Sequence, residues 1–277
     1  MKDLRGRNAL VTGAAGGIGH HIAETLADHG VNVVVSGRNR AALEALRAEL
    51  LGKEVAAEVV TADLSVPSAA TELAADAEAA LGPIDLLVNN AGVGILAPYT
   101  QVSPSELLEL MNVNLVSAML LTRAILPGML ERERGHVVSM SSLAGKIPAA
   151  FNGLYAPSKA GLVAQTQALR AEHAGSGVSF SAICPGFVRD EGIFSRAEAL
   201  GFRAPRNMGT ASPAEVADAV VDAIVRDRPE VIVNPRPVRP VFVMSAISAK
   251  AGERIVERSG TNRFMRELAT ATPPTPG

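Results

Sequence analysis

The sequence predicts an α/β fold: a doubly wound parallel sheet of seven strands, with helices on both faces, in one domain over residues 1–277. Three observations predict it. Short β-branched runs alternate with longer Ala/Leu-rich stretches, which is the βαβα order of a parallel sheet. The strand-like runs are near-continuously apolar rather than alternating apolar and polar, so both of their faces are buried. Finally, 277 residues with 48% hydrophobic content suffice for one large core.

The first strand, Ala9–Thr12, runs into Thr12-Gly13-Ala14-Ala15-Gly16-Gly17-Ile18-Gly19 and a helical stretch to Ala27. A strand, a Gly-rich turn and a helix start make an anion site. Glycines let the backbone approach a pyrophosphate, and the first turn of a helix offers free N–H groups. Gly13, Ala15, Gly16, Gly17, Ile18 and Gly19 are therefore candidate cofactor contacts. The spacing differs from the P-loop pattern, because no Lys-Ser/Thr follows. A purely structural turn is the alternative.

The second strand, Val31–Ser36, ends in Gly37-Arg38-Asn39-Arg40. An NAD site usually places a carboxylate here for the ribose hydroxyls. None is present, and the planar fork of Arg38 suits a 2′-phosphate. The expectation is NADP(H) over NAD(H); otherwise Arg38 and Arg40 are solvated residues at a helix start. After the third strand, Val55–Thr61, comes Ala62-Asp63-Leu64-Ser65. Asp63 could accept from an adenine amino group with Leu64 flanking the ring, or Asp63 could be only a turn residue.

The fourth strand, Leu86–Asn89, precedes Asn90-Ala91-Gly92. Two helix starts follow the capping-box pattern with proline in first position: Ser103-Pro104-Ser105-Glu106 and Ser212-Pro213-Ala214-Glu215. The fifth strand, His136–Met140, leads into Ser141-Ser142. Tyr155 and Lys159 follow, four apart, which places them on one face of a helix. Pro157 between them is tolerated in a first turn. A free phenol, of pKa ~10, is a poor base at neutral pH. A neighbouring ammonium favours the phenolate and moves it toward general acid–base use. A core aromatic beside a surface charge is the bland alternative. The sixth strand, Val178–Cys184, leads into Pro185-Gly186-Phe187-Val188-Arg189-Asp190, and the seventh is Val231–Val233. Residues 234–240 are proline-rich and break regular structure. A helical stretch over Val241–Leu268 follows, and Thr270–Gly277 reads as frayed.

Taken in order, these pieces resemble the short-chain dehydrogenase/reductase family in its single-domain form, over roughly residues 5–235. The pieces are Thr12-Gly13-x-x-x-Gly17-x-Gly19, Asn90-Ala91-Gly92 and Asn114 in Met-Asn-Val-Asn-Leu. Ser142 thirteen residues before Tyr155, Lys159, and Pro185-Gly186 complete the set. The resemblance implies a Rossmann-like dinucleotide fold and an oxidoreductase. Tyr155 would exchange a proton with the substrate oxygen, and Ser142 would orient that oxygen. Lys159 would hold the nicotinamide ribose and lower the Tyr155 pKa. Asn114 would help hold a water linked to Lys159, or else satisfy backbone groups in an irregular helix. Asn90, Ala91 and Gly92 would stabilise the sheet and pass the cofactor, and Pro185, Gly186 and Val188 would line its nicotinamide end. One departure is Asp190, where the family often has threonine.

Leu143, Phe151, Leu154, Phe187, Ile193, Phe194 and Phe202 suggest an apolar substrate site for a hydrophobic ketone or secondary alcohol. Gly192, Gly201 and Gly209 give residues 189–209 the freedom of a covering loop. The resemblance also implies a homodimer or homotetramer through helices near 112–130 and 154–173. The tail, residues 236–277, could wall the site, join two copies or lie on a membrane surface. With a net charge of −2, no nucleic-acid partner is expected. One cysteine cannot form an internal disulfide, the five histidines lack a motif such as H-E-x-x-H, and no metal is expected. No apolar run approaches the ~20 residues of a membrane span, and the charged N-terminus does not read as a signal peptide. A cytoplasmic protein is expected. A dinucleotide-binding regulator on the same fold, without catalysis, is the competing reading.

Overall fold

In the computed structural model, residues 1–190, 194–205 and 208–271 are described. Seven parallel strands form the sheet. In chain order, β1 (Asn8–Thr12) is followed by helix α1 (Ile18–Asp28), β2 (Asn32–Gly37) by α2 (Arg40–Leu51), and β3 (Ala57–Thr61) by α3 (Pro67–Leu81). Next come β4 (Leu86–Asn89), α4 (Pro104–Met111), a π-helical turn at Asn112–Val116, and α5 (Ser117–Glu131). Then follow β5 (Gly135–Met140), α6 (Tyr155–Glu172), β6 (Val178–Pro185), the two-residue strands β7 (Phe187–Val188) and β8 (Thr210–Ala211) around α7 (Ser195–Ala199), α8 (Pro213–Val225) and β9 (Glu230–Val233). The sheet order is β3-β2-β1-β4-β5-β6-β9, so the direction of winding reverses between β1 and β4. Ligands of open α/β sheets bind at that switch point, beyond the carboxyl ends of the strands.

The apolar strands fill two cores at once. Ala9, Val11, Val33 and Val35 point into the layer of α1, α2 and α8, with Ile22, Leu43 and Val216. Leu10, Val34 and Leu87 point the other way, against Leu73, Leu121 and Ile125 of α3 and α5. This double burial is why the strands were legible as continuous apolar runs. Both capping boxes form: the Ser103 and Ser212 hydroxyls accept from the Glu106 and Glu215 amides at 3.2 Å each, and each glutamate accepts from the cap amide.

Two expectations change. Pro104–Glu131 forms one 28-residue helical run that is long and apolar enough to cross a membrane, although no single apolar run in the sequence suggested it. Its length arises because the π turn joins α4 to α5 without a break. Leu121, Ile125 and Met129 pack into the α3 layer, as in the core helix of a globular fold. The tail is also not one helix but three: α9 (Arg239–Ile247), α10 (Ala249–Arg258) and α11 (Thr261–Ala271). Ser248 is extended and caps α10, and Gly260 has φ 77°. These two residues break the run that composition alone reads as continuous.

Candidate active site

The Gly-rich turn is built for a close approach. Gly13 has φ 66°, and a Cβ there would lie 2.9 Å from the Ala91 Cα. A Cβ on Gly19 would lie 2.2 Å from the Gly13 carbonyl oxygen and 2.6 Å from Asn90 Nδ2. The turn is stapled from β4. Asn90 Nδ2 donates to the carbonyls of Thr12 (2.9 Å) and Gly13 (3.3 Å), while the Asn90 and Ala91 amides both donate to Thr12 Oγ1 at 3.0 Å. Thr12, which the sequence marked only as the first residue of the Gly-rich motif, joins the two sides of the switch point.

The same turn fits a dinucleotide. Gly17, at φ 62°, caps α1 with no side-chain bond, and the first turn of α1 holds no acidic residue. Its amides are therefore not capped by a side chain, at the positive end of the helix dipole. A Cβ on Gly16 would meet nothing within 4 Å, so the cradle is open there. Ala15 packs on Gly37, and Ile18 packs on the α1 side of the core. Arg38 is exposed just beyond β2. Asp63 accepts from the Ser65 amide (3.0 Å) and hydroxyl (2.8 Å). Those bonds, with a smaller pull from Arg38, hold its pKa below the usual value. The turn role of Asp63 is thus realised, and its charge also faces Arg38. Leu64 is 7% exposed and packs into one core layer, and Val188 is 6% exposed and packs into the other; both turn inward near a strand end, which residue type does not reveal.

Tyr155 opens α6, so it and Lys159 share one face. The Lys159 ammonium lies 5.7 Å from the centre of the Tyr155 ring and donates to the Met140 carbonyl at 2.9 Å. The Ser141 hydroxyl donates to the Lys159 carbonyl at 2.8 Å, so the end of β5 holds α6 at two points. Ser142 Oγ accepts from the Ala144 amide at 3.1 Å and donates to the Pro185 carbonyl at 3.5 Å, and its hydroxyl acts to lower the Tyr155 pKa. Gly92 faces the same point: a Cβ there would lie 3.2 Å from Lys159 Nζ and 3.5 Å from Asn114 Oδ1.

The electrostatics correct one expectation. Burial pushes the Tyr155 phenol up to about 12, opposed only by the Ser142 hydroxyl. Burial also brings Lys159 down to about 8, with a small opposing pull from Cys184. Tyr155 keeps part of its surface open to solvent, so the penalty on its phenolate is smaller than for a fully enclosed phenol. Tyr155 still carries its proton in the free protein.

Asn114 sits in the π-helical turn, fully buried. Its Oδ1 accepts from the Val93 amide (2.8 Å), and its Nδ2 donates to the Val93 carbonyl (2.9 Å) and the Ser158 hydroxyl (3.2 Å). Its side chain thus ties the segment after Gly92 to α6, the backbone-satisfying role that the sequence left open. Gly186 packs beneath Asn234, whose Oδ1 a Cβ would meet at 2.3 Å, and beside Leu143. Asn234 was missed because it lies past β9, in a proline-rich stretch. Asp190 adopts φ 66°. Its amide donates to Glu198 at 2.8 Å, and its carboxylate stays exposed 3.5 Å from Arg189.

Of the expected substrate residues, Leu143 and Leu154 are buried. Phe151 adopts φ 65°. Phe187 and Phe194 lie 4.8 Å apart, centre to centre, with their rings tilted by 46°, and join Phe202 in an aromatic cluster. Ile193 and Gly192 lie outside the described residues. One group with metal-ligand chemistry occurs among the described residues, although the sequence shows no such spacing: His20 Nε2 is 3.5 Å from Glu24 and 3.3 Å from Glu49. It lies on the outer side of α1 and α2 and reads as a solvent-screened ion-pair cluster.

With the site assembled, its kinship can be stated. A family model described as short chain dehydrogenase matches residues 7–197. A ketoacyl reductase of Nostoc sp., HetN, is 37% identical over 97% of this chain and 94% of its own length. Dehydrogenase/reductase SDR family member 7B of Mus musculus is 34% identical over 83% of this chain and 74% of its own. Among solved structures, a 3-oxoacyl (acyl-carrier-protein) reductase of Agrobacterium tumefaciens with NADP bound superposes with a TM-score of 0.77. It is 32% identical and covers 83% of this chain and 93% of its own. A metagenomic short-chain oxidoreductase in complex with NADP gives a TM-score of 0.71 at 34% identity, over 85% and 99% of the two chains. The protein thus belongs to the short-chain dehydrogenase/reductase family and is an NAD(P)-dependent oxidoreductase.

Proposed function

We propose that this enzyme reduces an apolar ketone with NADPH, using Tyr155 as the acid that protonates the carbonyl oxygen. The observation that carries the reading is geometric: Tyr155 and Lys159 share one face of α6, with the ammonium 5.7 Å from the ring centre and fixed by the Met140 carbonyl, beside Ser142 at the carboxyl edge of the sheet. NADPH supplies the hydride when bound. Gly13 to Gly19 would cradle its pyrophosphate, Arg38 its 2′-phosphate, and Asp63 its adenine edge. Asn90 to Gly92, Pro185, Gly186 and the Val188 backbone would line the path to the nicotinamide, beside Lys159.

Ser142 would orient the substrate oxygen through its hydroxyl. Lys159, fixed by the Met140 carbonyl, would hold the ribose and offset the charge left on Tyr155 after proton transfer. Asn114 would act through Ser158 and Gly92, keeping this face of α6 in register. The names of the reductases from Nostoc and Agrobacterium favour a β-keto group on an apolar chain. Leu143, Phe151, Phe187 and Phe194 would contact that chain. The regulator reading is disfavoured, because a sensor has no use for a proton donor paired with an orienting serine.

Two copies would pair through the α4–α5 and α6 faces. Tyr99, Leu108 and Met119 are exposed there, beside a groove of about 310 Å³ lined by Tyr99, Leu107, Leu108 and Leu154. The lone, buried, unpaired Cys184 suits a reducing compartment such as the cytoplasm. The test is Tyr155→Phe, assayed by NADPH absorbance over a panel of ketones. Turnover is expected to fall by about 10²–10⁴, while NADPH still binds. Normal turnover by the variant would remove Tyr155 as the proton carrier.

A further inference from the structure

The C-terminal extension does not lie free on the body. Helix α11 reaches back across the carboxyl edge of the sheet and makes two attachments there. The first is aromatic. Phe264 sits 5.7 Å from Phe187, 6.3 Å from Phe194 and 6.1 Å from Phe202, centre to centre. The edge-to-face tilts are 79° with Phe187 and 77° with Phe202, the arrangement that ring quadrupoles favour. Leu268 and Leu96 complete the cluster. The second attachment is polar: Asn262 Oδ1 accepts from the Ala150 amide at 3.0 Å. Ala150 precedes Phe151, whose backbone is held at φ 65°, a conformation a bulky residue rarely adopts.

The partners of α11 border the reaction centre. Phe187 follows Gly186 directly. Leu96 follows Asn90-Ala91-Gly92, and the Ala150–Phe151 turn leads into Tyr155. One helix from the end of the chain therefore joins three loops that bound the crevice where the sheet order reverses. Phe264 lies well beyond residue 197, where the match to the family model stops.

We propose that Phe264 is a specificity-determining residue: it forms the outer wall of the substrate chamber and sets the size of the apolar group the enzyme accepts. Phe264 fills the middle of the cluster, touching all three aromatic residues that follow β6. Its ring backs Phe187, the residue that follows Gly186, and Phe194 beside it. Trimming the ring opens the chamber, and enlarging it closes the chamber. One or two methylenes in an apolar pocket change selectivity by roughly 10- to 200-fold, so the effect is measurable. The chemistry itself rests on the function proposed above; the wall does not.

The experiment compares F264A and F264W with the unmodified enzyme, using 2-pentanone and 2-decanone as probes. For F264A, the ratio of kcat/KM for 2-decanone to that for 2-pentanone is expected to rise at least tenfold, and for F264W to fall. NADPH affinity, followed by fluorescence, stays within twofold in both. An unchanged ratio in both variants overturns the proposal. If F264A fails to bind NADPH and so to fold, F264W alone decides. If the unmodified enzyme reduces neither ketone, the substrate reading fails, and limited trypsinolysis decides the wall separately. Faster cutting after Arg189 and Arg203 in F264A supports it, and an unchanged cutting rate overturns it.

Discussion

Arg38 reaches into solvent beyond β2, where its guanidinium still pulls on Asp63. No carboxylate stands at the end of β2 to repel a phosphate, and the cation is presented on a strand end rather than on a loose loop. On the function proposed above, the choice between NADP(H) and NAD(H) would turn on Arg38. Arg38→Asp removes the phosphate partner and supplies an acceptor for ribose hydroxyls. The ratio of kcat/KM with NADPH to that with NADH is expected to fall by about two powers of ten, which matches loss of a charge-assisted bidentate pair. A ratio that does not move would place the selection elsewhere. Tyr155 teaches a different lesson at this scale. Spacing placed the ammonium beside the phenol correctly, at 5.7 Å from the ring. The magnitude of burial, which spacing does not contain, decided the direction of the pKa shift.

At the level of elements, what was legible followed a physical rule. Apolar, β-branched runs announce themselves by composition, so all seven sheet strands were anticipated to within two residues at each end, the half-buried edge strands β3 and β9 included. Helix starts announce themselves by caps. Ser212 opens α8, which carries Val216, Val220 and Ile224 into the α1 layer. Ser212→Ala leaves the first-turn amides of α8 without their acceptor and should cost about 1 kcal/mol, read as a lower urea midpoint with an unchanged slope. An equal midpoint would mean that packing alone holds the helix end. What was not legible depended on rotation or on distant partners. Leu64 and Val188 turn inward because of how the chain leaves β3 and β6. Met140 acts through a carbonyl that every residue has, and Asn234 acts through a contact with Gly186 made by a remote strand end. The tail gave no sign of its division at Ser248 and Gly260, nor that Phe264 would meet Phe187. Tyr155 and Lys159 were legible as a pair because side-chain chemistry and helical spacing coincide in them.

At the scale of the whole molecule, the sheet carries a histidine into the interior, away from water. His136 lies on β5, 1% exposed, with Nε2 2.8 Å from the Ser181 hydroxyl of β6 and Nδ1 unpaired among the described residues. Burial, reinforced by the N-terminal ammonium, drives its pKa down from 6.5 to about 3, against a smaller opposing pull from Asp227. The folded chain thus refuses a proton that the unfolded chain accepts. Where the unfolded state binds more protons, stability rises with pH, so His136 gives its full contribution above pH 6.5 and loses it as pH falls from 6.5 toward 3. For one group the slope is about 1.4 kcal/mol per pH unit. The lowered carboxyl groups of Glu106, Glu215 and Asp227 have the same sign, but act only once pH falls through the ordinary carboxylate range. Between pH 5 and 6.5 the histidine therefore stands apart from them. Urea unfolding across that window should show stability falling with acidification in the unmodified protein. The fall should be shallower in His136→Gln, which keeps a partner for Ser181 but cannot be charged. The comparison of slopes, not of absolute stabilities, is what matters, since the substitution also disturbs packing between β5 and β6. Equal slopes would mean that the sheet opens to water near His136 before the fold is lost, and that the acid sensitivity of the molecule lies in its surface charges.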